Sequence, residues 1–518
     1  MRSCFFGLLR MSVRSLFLTA FTVLVCCLPQ VEVAAQATWQ SVAPQPAAWQ
    51  PEGLAELRAR LDAQAAEIQA LRTRLDQQPV QYGPLPESAY PNCYCGPNMY
   101  RLPVVVDQPW CPPCEGGNPP TLHKLNFYVD YDKGFVIRPI NPDLHPYELK
   151  IGGRIQFRHH AFVRNVDTFT DNAGTTFPVR NRNVFDIERA RLKFTGYALD
   201  PRFKYFLQLD GDTDGRHGVD FFDYWWGWQF NEDLLVMMGK SKVPASRQWI
   251  LSSANTRLVD RPMANDFFRP DRSVGLFAFG KLGERSEYGF MLGNGYNTAN
   301  LPEVLTDDQL AVAGSHFFDP WGEFGSQIVD WDYVCDPRLR IGHSFVYAPT
   351  QDQTQGQPLG EGDFLRLTDG TQLTATGALA PAVTVTSFDV ILYGVDAAVK
   401  YRGWSANAEV FFRWIKDIQG DGALPTDELF QRGFYVEGGR FLVPKKLDFN
   451  VRYSQVDGFY GHSSDYAAGI NWWPLDTSKL KVSLDATVLD GSPLQNTSSN
   501  ILLGDDGVLI RAQVDAAF

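Results

Sequence analysis

The sequence predicts an all-β fold: a 16-stranded antiparallel barrel that crosses a membrane, preceded by a short N-terminal coiled-coil helix and a Cys/Pro-rich linker. Three observations predict it. From about residue 147 onward side chains alternate apolar and polar over runs of roughly 10–13 residues, twice the soluble norm and matched to a tilted bilayer crossing. The polar face carries full charges, as a watery interior requires. Connections between the runs alternate between short and long.

Composition removes the main competitors. The chain has 518 residues, 44% hydrophobic and 20% charged, which excludes wholesale disorder. Asp+Glu 59 against Lys+Arg 47 gives a net charge of −12, the wrong sign for a nucleic-acid binder. Beyond residue 30 no run of 18 apolar residues occurs, so spanning helices are excluded.

Residues 1–37 read as a cleaved export leader. Arg2, Arg10 and Arg14 form its basic start, Leu16 to Leu28 its apolar stretch, and Val33-Ala34-Ala35 or Ala35-Gln36-Ala37 its cleavage site. Its removal leaves 44 basic and 58 acidic residues, a net of −14. Any handling of anions must then come from local placement of basic side chains.

After a linker at 38–51, residues 52–78 form a helix between Pro51 and Pro79. Leu54, Leu57, Leu61, Ile68, Leu71 and Leu75 repeat at alternating three- and four-residue steps, with Gln64 in the one polar slot. Pro-rich sequence on both sides offers no partner in cis, so the seam points to an oligomeric coiled coil. Residues 79–146 are a Cys/Pro-rich linker and pre-barrel segment. In Trp110-Cys111-Pro-Pro-Cys114 the prolines prevent the helix that would lower a redox thiol's pKa. With Cys93 and Cys95, an exported chain points to a disulfide-stapled linker over a zinc site. Cys335 is left over.

The barrel domain spans 147–518. Its last strand is the plainest: Val508, Ile510, Ala512, Val514, Ala516 and Phe518 against Arg511, Gln513 and Asp515. Leu480 to Val488, Leu447 to Tyr453 and Ala406 to Trp414 repeat the pattern. Tight turns fall at Asp200-Pro201, Asn231-Glu-Asp233, Leu282-Gly283, Asp336-Pro337, Arg402-Gly403, Pro444-Lys445 and Pro474 to Thr477. Wider loops fall at 163–183, 212–218, 241–271, 297–325, 349–388, 418–429, 458–463 and 491–506. Seven turns and eight loops need sixteen strands, and closure removes the exposed edges so many strands would leave. Trp225, Trp226, Trp228, Trp404, Trp414, Trp472 and Trp473 sit near strand ends, where interface girdles form. Face assignment breaks down in 219–242, where aromatic and Met side chains occupy both parities. A terminal Phe on an alternating strand resembles the assembly signal of bacterial outer-membrane proteins.

No catalytic constellation is present. The histidines are scattered, and neither a Gly-x-Ser-x-Gly elbow nor a phosphate-cradling Gly loop occurs. Neither enzyme activity nor a cofactor is expected. Asp210-Gly-Asp212-Thr-Asp214-Gly215 begins like a calcium loop, but Phe221 stands where a bidentate Glu belongs, so a solvated acidic loop is favoured over a metal site.

The basic residues carry the functional signal. Lys150, Arg154 and Arg158 oppose the apolar face of the first strand; Arg189, Arg191 and Lys193 oppose that of the second. Lys240 and Lys242 lead into the third long loop, which adds Arg247, Arg257, Arg261 and Arg269, with Arg272 just beyond. Such a loop folded inward would narrow the lumen, and its basic side chains would attract and partly desolvate anions. The alternative is a charge-balanced wall, in which Asp186, Glu188, Asp210, Asp260, Asp266 and Asp271 pair with these arginines.

These stretches resemble the phosphate-selective porin O and P family over roughly residues 130–518. The resemblance rests on Asp132-Lys-Gly-Phe135 with Glu148-Leu-Lys-Ile-Gly-Gly-Arg-Ile-Gln-Phe157, on Phe185-Asp-Ile-Glu-Arg-Ala-Arg-Leu192, and on Gly239-Lys-Ser-Lys-Val-Pro244. It implies a homotrimer of 16-stranded barrels in the bacterial outer membrane, in contact with its lipid, passing small anions through a constriction lined by Arg and Lys. Arg154, Arg189, Arg191, Lys240 and Lys242 occupy the matching positions. The expectation is therefore a diffusion channel with an anion preference and no chemical step. The competing expectation is an envelope tether acting through the coiled coil and linker, with an unselective general pore.

Overall fold

The computed structural model describes residues 126–518, apart from 214–217, 297, 299–305, 352–363 and 476. The leader, the helix at 52–78 and Cys93, Cys95, Cys111 and Cys114 lie outside the described residues.

Sixteen antiparallel strands close into one barrel. The first half holds β3 (Glu148–Arg164), β6 (Arg182–Ala198), β7 (Asp200–Gly211), β8 (Val219–Asn231), β9 (Leu234–Lys242), β10 (Arg272–Lys281), β11 (Ser286–Gly293) and β12 (Ala311–Phe318). The second half holds β13 (Arg338–Gln351), β14 (Val385–Tyr401), β15 (Trp404–Gly420), β16 (Leu429–Val443), β17 (Leu447–Gly458), β18 (Gly461–Trp472), β19 (Leu480–Asp490) and β20 (Gly507–Ala517). Each pairs with its neighbour in sequence, and β20 closes on β3 from Gly507↔Arg164 to Ala517↔Arg154. A small hairpin, β4 (Thr168–Thr170) with β5 (Thr176–Pro178), decorates the first long loop.

The barrel inverts the burial pattern of a soluble protein. On β20, Ile510 and Val514 face outward, exposed, while Arg511, Gln513 and Asp515 are buried inside. On β17, Phe449 and Val451 face out and Asp448, Asn450, Arg452 and Ser454 face in. An apolar exterior over paired strands with no open edge is what hydrocarbon surroundings demand.

A hairpin absent from the sequence reading, β1 (Phe127–Tyr131) and β2 (Phe135–Pro139), extends the sheet on the tight-turn side. β2 pairs with β3 at Phe135↔Ile151 through Ile137↔Leu149, directly beyond the end of β20. Phe518 fixes this junction: it exchanges two backbone hydrogen bonds with Gly153, at 3.0 and 3.3 Å. A side chain at Gly153 would run into the Phe518 ring.

Two connections differ from the sequence expectation. The tight turn at Asp336-Pro337 is a long connection, 319–337, and β12 lies at Ala311–Phe318, inside the expected loop 297–325. The apolar residues of 326–334 do not build a strand; Ile328, Val329 and Trp331 pack with Phe441 and Trp473 instead. The loop counted as wide at 458–463 is the two-residue turn Phe459-Tyr460.

The third long loop, between β9 and β10, folds into the barrel. It contains α1 (Arg247–Ile250) and α2 (Met263–Phe268), and most of 243–271 is buried. Met263, Phe267 and Phe268 pack with Phe411 and Tyr435 of the far wall, and Phe268 stacks on Phe411 at 5.3 Å. Ser246 starts the loop in the left-handed region, at φ 65°. Its strain, of order 1–3 kcal/mol for such a residue, is offset by local bonds. Its N–H donates to Ser344 Oγ, its Oγ donates to Glu409, and it accepts from the Trp249 N–H.

Candidate functional site

The inner loop is held by charges that cross the lumen. Arg247 reaches Asp396 on β14 at 2.6 Å, and the Glu409 carboxylate accepts from the Arg247 and Gln248 N–H groups. Arg257 has no exposure at all; it donates to Ser405, Asn407 and Asn450 and faces Glu437. Asp260 accepts from Arg158 at 2.9 Å and Arg189 at 3.3 Å, while its carbonyl accepts from Arg452. Arg158, also fully buried, is further engaged by Glu188, Gln513 and the Ser498 carbonyl. Thus Arg158, Arg247 and Arg257, expected on the sequence as channel-lining cations, serve as loop anchors. Replacing Arg257 by Met is expected to weaken folding by about 3–5 kcal/mol through the polar partners left behind. The same variant should leave ion preference unchanged, as reversal potentials together with urea titration of the folded barrel would check.

The other basic residues converge on the opposite side of the loop. There β6, β7, β8, β9 and β10 face the loop across a cavity of 180 Å³. Its walls are Arg189, Arg191, Lys240, Lys242, Arg261, Arg269 and Arg272, with Glu188, Asp210, Asp212 and Asp271, and with Phe222, Trp249, Ser253 and Ser498. Seven cations therefore meet four acids. Arg154 sits just outside, donating to Ser252 and Ser253 of the loop. Lys193 lies one step further along β6, beside the Arg154–Arg191 cross-strand pair. Lys150 is at the tight-turn rim, 3.6 Å from Asp132.

Backbone irregularities aim these side chains. A bulge in β6, where Gln156↔Arg189 is followed by Phe157↔Ile187, lets the consecutive residues Glu188 and Arg189 both turn inward. A second bulge, between Gln208↔Asp223 and Leu209↔Phe221, inserts Phe222. It resolves the double parity of 219–242: Val219, Phe221 and Trp226 face out, while Phe222 lines the cavity and Asp223 bonds to Arg272 of its wall. Gly239, at φ 135°, interrupts β9 just before Lys240, in a conformation that excludes a Cβ.

Acids and aromatic rings organise the cations. Arg191 pairs with Asp210 at 2.8 Å, so the Asp210 of the calcium-like motif is engaged by an arginine. Arg272 pairs with Asp223 and Asp271, at 2.8 and 3.1 Å. Lys242 donates to the carbonyls of Trp249, Ile250 and Leu251. Arg272 and Arg191 lie over Phe222, at 3.7 and 4.2 Å from its centroid. Sequence reading missed Phe222, Trp249, Ser253 and Ser498, since nothing in a lone aromatic or serine marks a cavity wall.

Within the loop, burial opposes the charge of Asp260, yet Arg189, Arg158, Arg261 and Arg511 hold its carboxyl well below the usual range. Burial likewise opposes Asp271, but Arg269 and Arg272 keep it lowered. Asp266 goes the other way: burial dominates and raises its pKa despite Arg269 at 3.1 Å. Asp266 belongs to an outer cavity of 240 Å³ with Phe267, Phe364, Arg366 and Asn496, which shares Arg269 and Asp271 with the inner one.

Residues 154–297 match the family model described as phosphate-selective porin O and P. Among solved structures the chain is similar to an anion-selective porin from Comamonas acidovorans, at 12% identity and TM-score 0.45, covering 71% of this chain and 99% of that one. It is similar to OmpF of Salmonella typhi, solved with daunomycin, at 11% identity and TM-score 0.45, covering 76% of this chain and all 100% of that one. It is also similar to the outer-membrane channel DcaP of Acinetobacter baumannii, at 9% identity and TM-score 0.44, covering 72% and 97%. No curated protein matches the sequence. The matched residues 154–297 include most of the strand and loop residues that line the cation-rich cavity.

Proposed function

We propose that this chain is an outer-membrane porin that passes small anions in preference to cations, and that three copies assemble as the family resemblance implies. The observation that carries the ion preference is the excess of seven cations over four acids around the inner cavity. Rings of charged side chains in a narrow, low-dielectric passage raise the local concentration of the opposite ion. Arginine edges suit the planar or tetrahedral oxygens of carboxylate and phosphate. The bulk charge of the chain is acidic, so local placement does this work.

The test is the reversal potential of the purified protein in a planar bilayer across a KCl gradient, repeated with phosphate. A chloride-favouring potential with conductance blocked by phosphate supports the reading. A cation-favouring or unselective potential refutes it. Light scattering in detergent reads the number of copies.

Acidification should strengthen the preference. Asp266, whose pKa is raised by burial, loses its negative charge at a higher pH than an ordinary carboxyl, and this releases Arg269 beside it. Anion preference is therefore expected to rise on acidification, and to begin rising at a higher pH than the titration of an ordinary carboxyl would give. Asp266→Asn should show the acid-state preference at neutral pH and a flattened response, which the same potentials would measure.

A further inference from the structure

We propose that Trp249, an uncharged residue, sets the strength of the ion preference by holding four like charges in one place. This rests on the anion reading above and assigns its specificity to a residue outside the charged set. Lys242, Arg261, Arg269 and Arg272 all lie over the Trp249 ring, at 4.7, 5.0, 4.5 and 5.2 Å from its centroid. Four cations this close to one ring repel one another. The negative faces of the indole offset that repulsion, and Trp is the side chain best suited to do so. The ring itself is fixed. Trp249 is buried, and its Nε1–H donates to the Asp271 carbonyl at 2.8 Å. Its own backbone carbonyl accepts from Lys242 at 2.7 Å, which ties the strand to the loop at the same point.

Without the ring, the cations would lose their common centre. Arg269 and Arg272 would relax toward Asp266, Asp271 and Asp223, which already contact them. The net charge of the passage would be unchanged, but its cations would be neutralised locally and drawn out of the path. Leu at this position keeps an apolar side chain and removes both the π face and the N–H. Phe keeps a face and loses only the N–H.

The experiment compares reversal potentials of wild type, Trp249→Phe and Trp249→Leu in the same KCl gradient, with folding verified by heat-shifted migration in SDS gels. The anion-to-cation permeability ratio is expected to fall at least threefold in the Leu variant and to stay within twofold of wild type in the Phe variant. Equal ratios in Leu and wild type would overturn the proposal while leaving the anion reading intact. A wild type without anion preference would overturn both. If the Leu variant does not fold, iodide quenching of tryptophan emission decides: a saturable component present in wild type and absent in Trp249→Phe supports the role, and identical curves reject it.

Discussion

Asp260→Ala is expected to release the inner loop and to cost the barrel about 3–5 kcal/mol of stability. The carboxylate sits at the crossing point of the lumen, where it accepts from Arg158 on β3 and Arg189 on β6. The neighbouring Val259 N–H is bonded to Asp485 on β19, so this short segment ties three parts of the wall together. Removing the acid leaves two buried guanidinium groups to share the single carboxylate of Glu188, and an under-compensated buried charge is far costlier than a lost neutral bond. Asp260→Asn should give a smaller loss, because the shape and part of the hydrogen bonding survive. The urea midpoint of barrel unfolding measures both. A loosened loop also predicts rapid current fluctuations in single-channel records, which the wild type should lack.

The second large effect is electrical. Lys193→Glu combined with Lys240→Glu exchanges two positive charges for two negative ones along the β6–β9 wall. A unit charge a few ångströms from a permeating ion is worth roughly 1 kcal/mol in bulk water and ~4 kcal/mol near a protein surface. Even the lower figure, applied to two reversals, predicts at least a tenfold fall in the anion-to-cation ratio, enough to reach or pass unity. Lys240 also donates to the Phe221 carbonyl, so folding of the double variant is verified by heat-shifted migration in SDS gels before the potential is read. A reversal potential that does not move would show that ions take a path away from this wall.

Much of the barrel was legible because its second half obeys one rule without interruption. From β14 to β20 every strand keeps its alternation over most of its length, and the lipid face and charged face read directly. The first half hid its rule in single-residue insertions. Glu188-Arg189, two adjacent charges in an otherwise alternating strand, was the visible trace of one bulge. The three-residue spacing of Asp220 and Asp223 was the trace of the other. β12 was misplaced because Ala311 to Ser315 is built from small residues, whereas the following connection holds stronger apolar ones at Ile328, Val329 and Trp331. In the site, residue type revealed that the third loop is basic but could not sort its arginines. Arg257 and Arg261 are four positions apart and similarly buried, yet one is an anchor and the other lines the cavity. That distinction depends on which wall each meets, and the wall is distant in sequence.

The junction of Phe518 with Gly153 sets the order in which this molecule can be made. The seam joins the first barrel strand to the sixteenth, so the ring cannot shut until every strand between them has been made. Until then both seam edges carry unpaired N–H and C=O groups, which templates pairing with other chains. Contacts this far apart in sequence also form slowly, since the chain between them must first be ordered. The newly made chain is therefore an open ribbon with two adhesive margins for as long as closure takes. Its survival depends on keeping those margins apart from other copies until Phe518 reaches the gap left by Gly153.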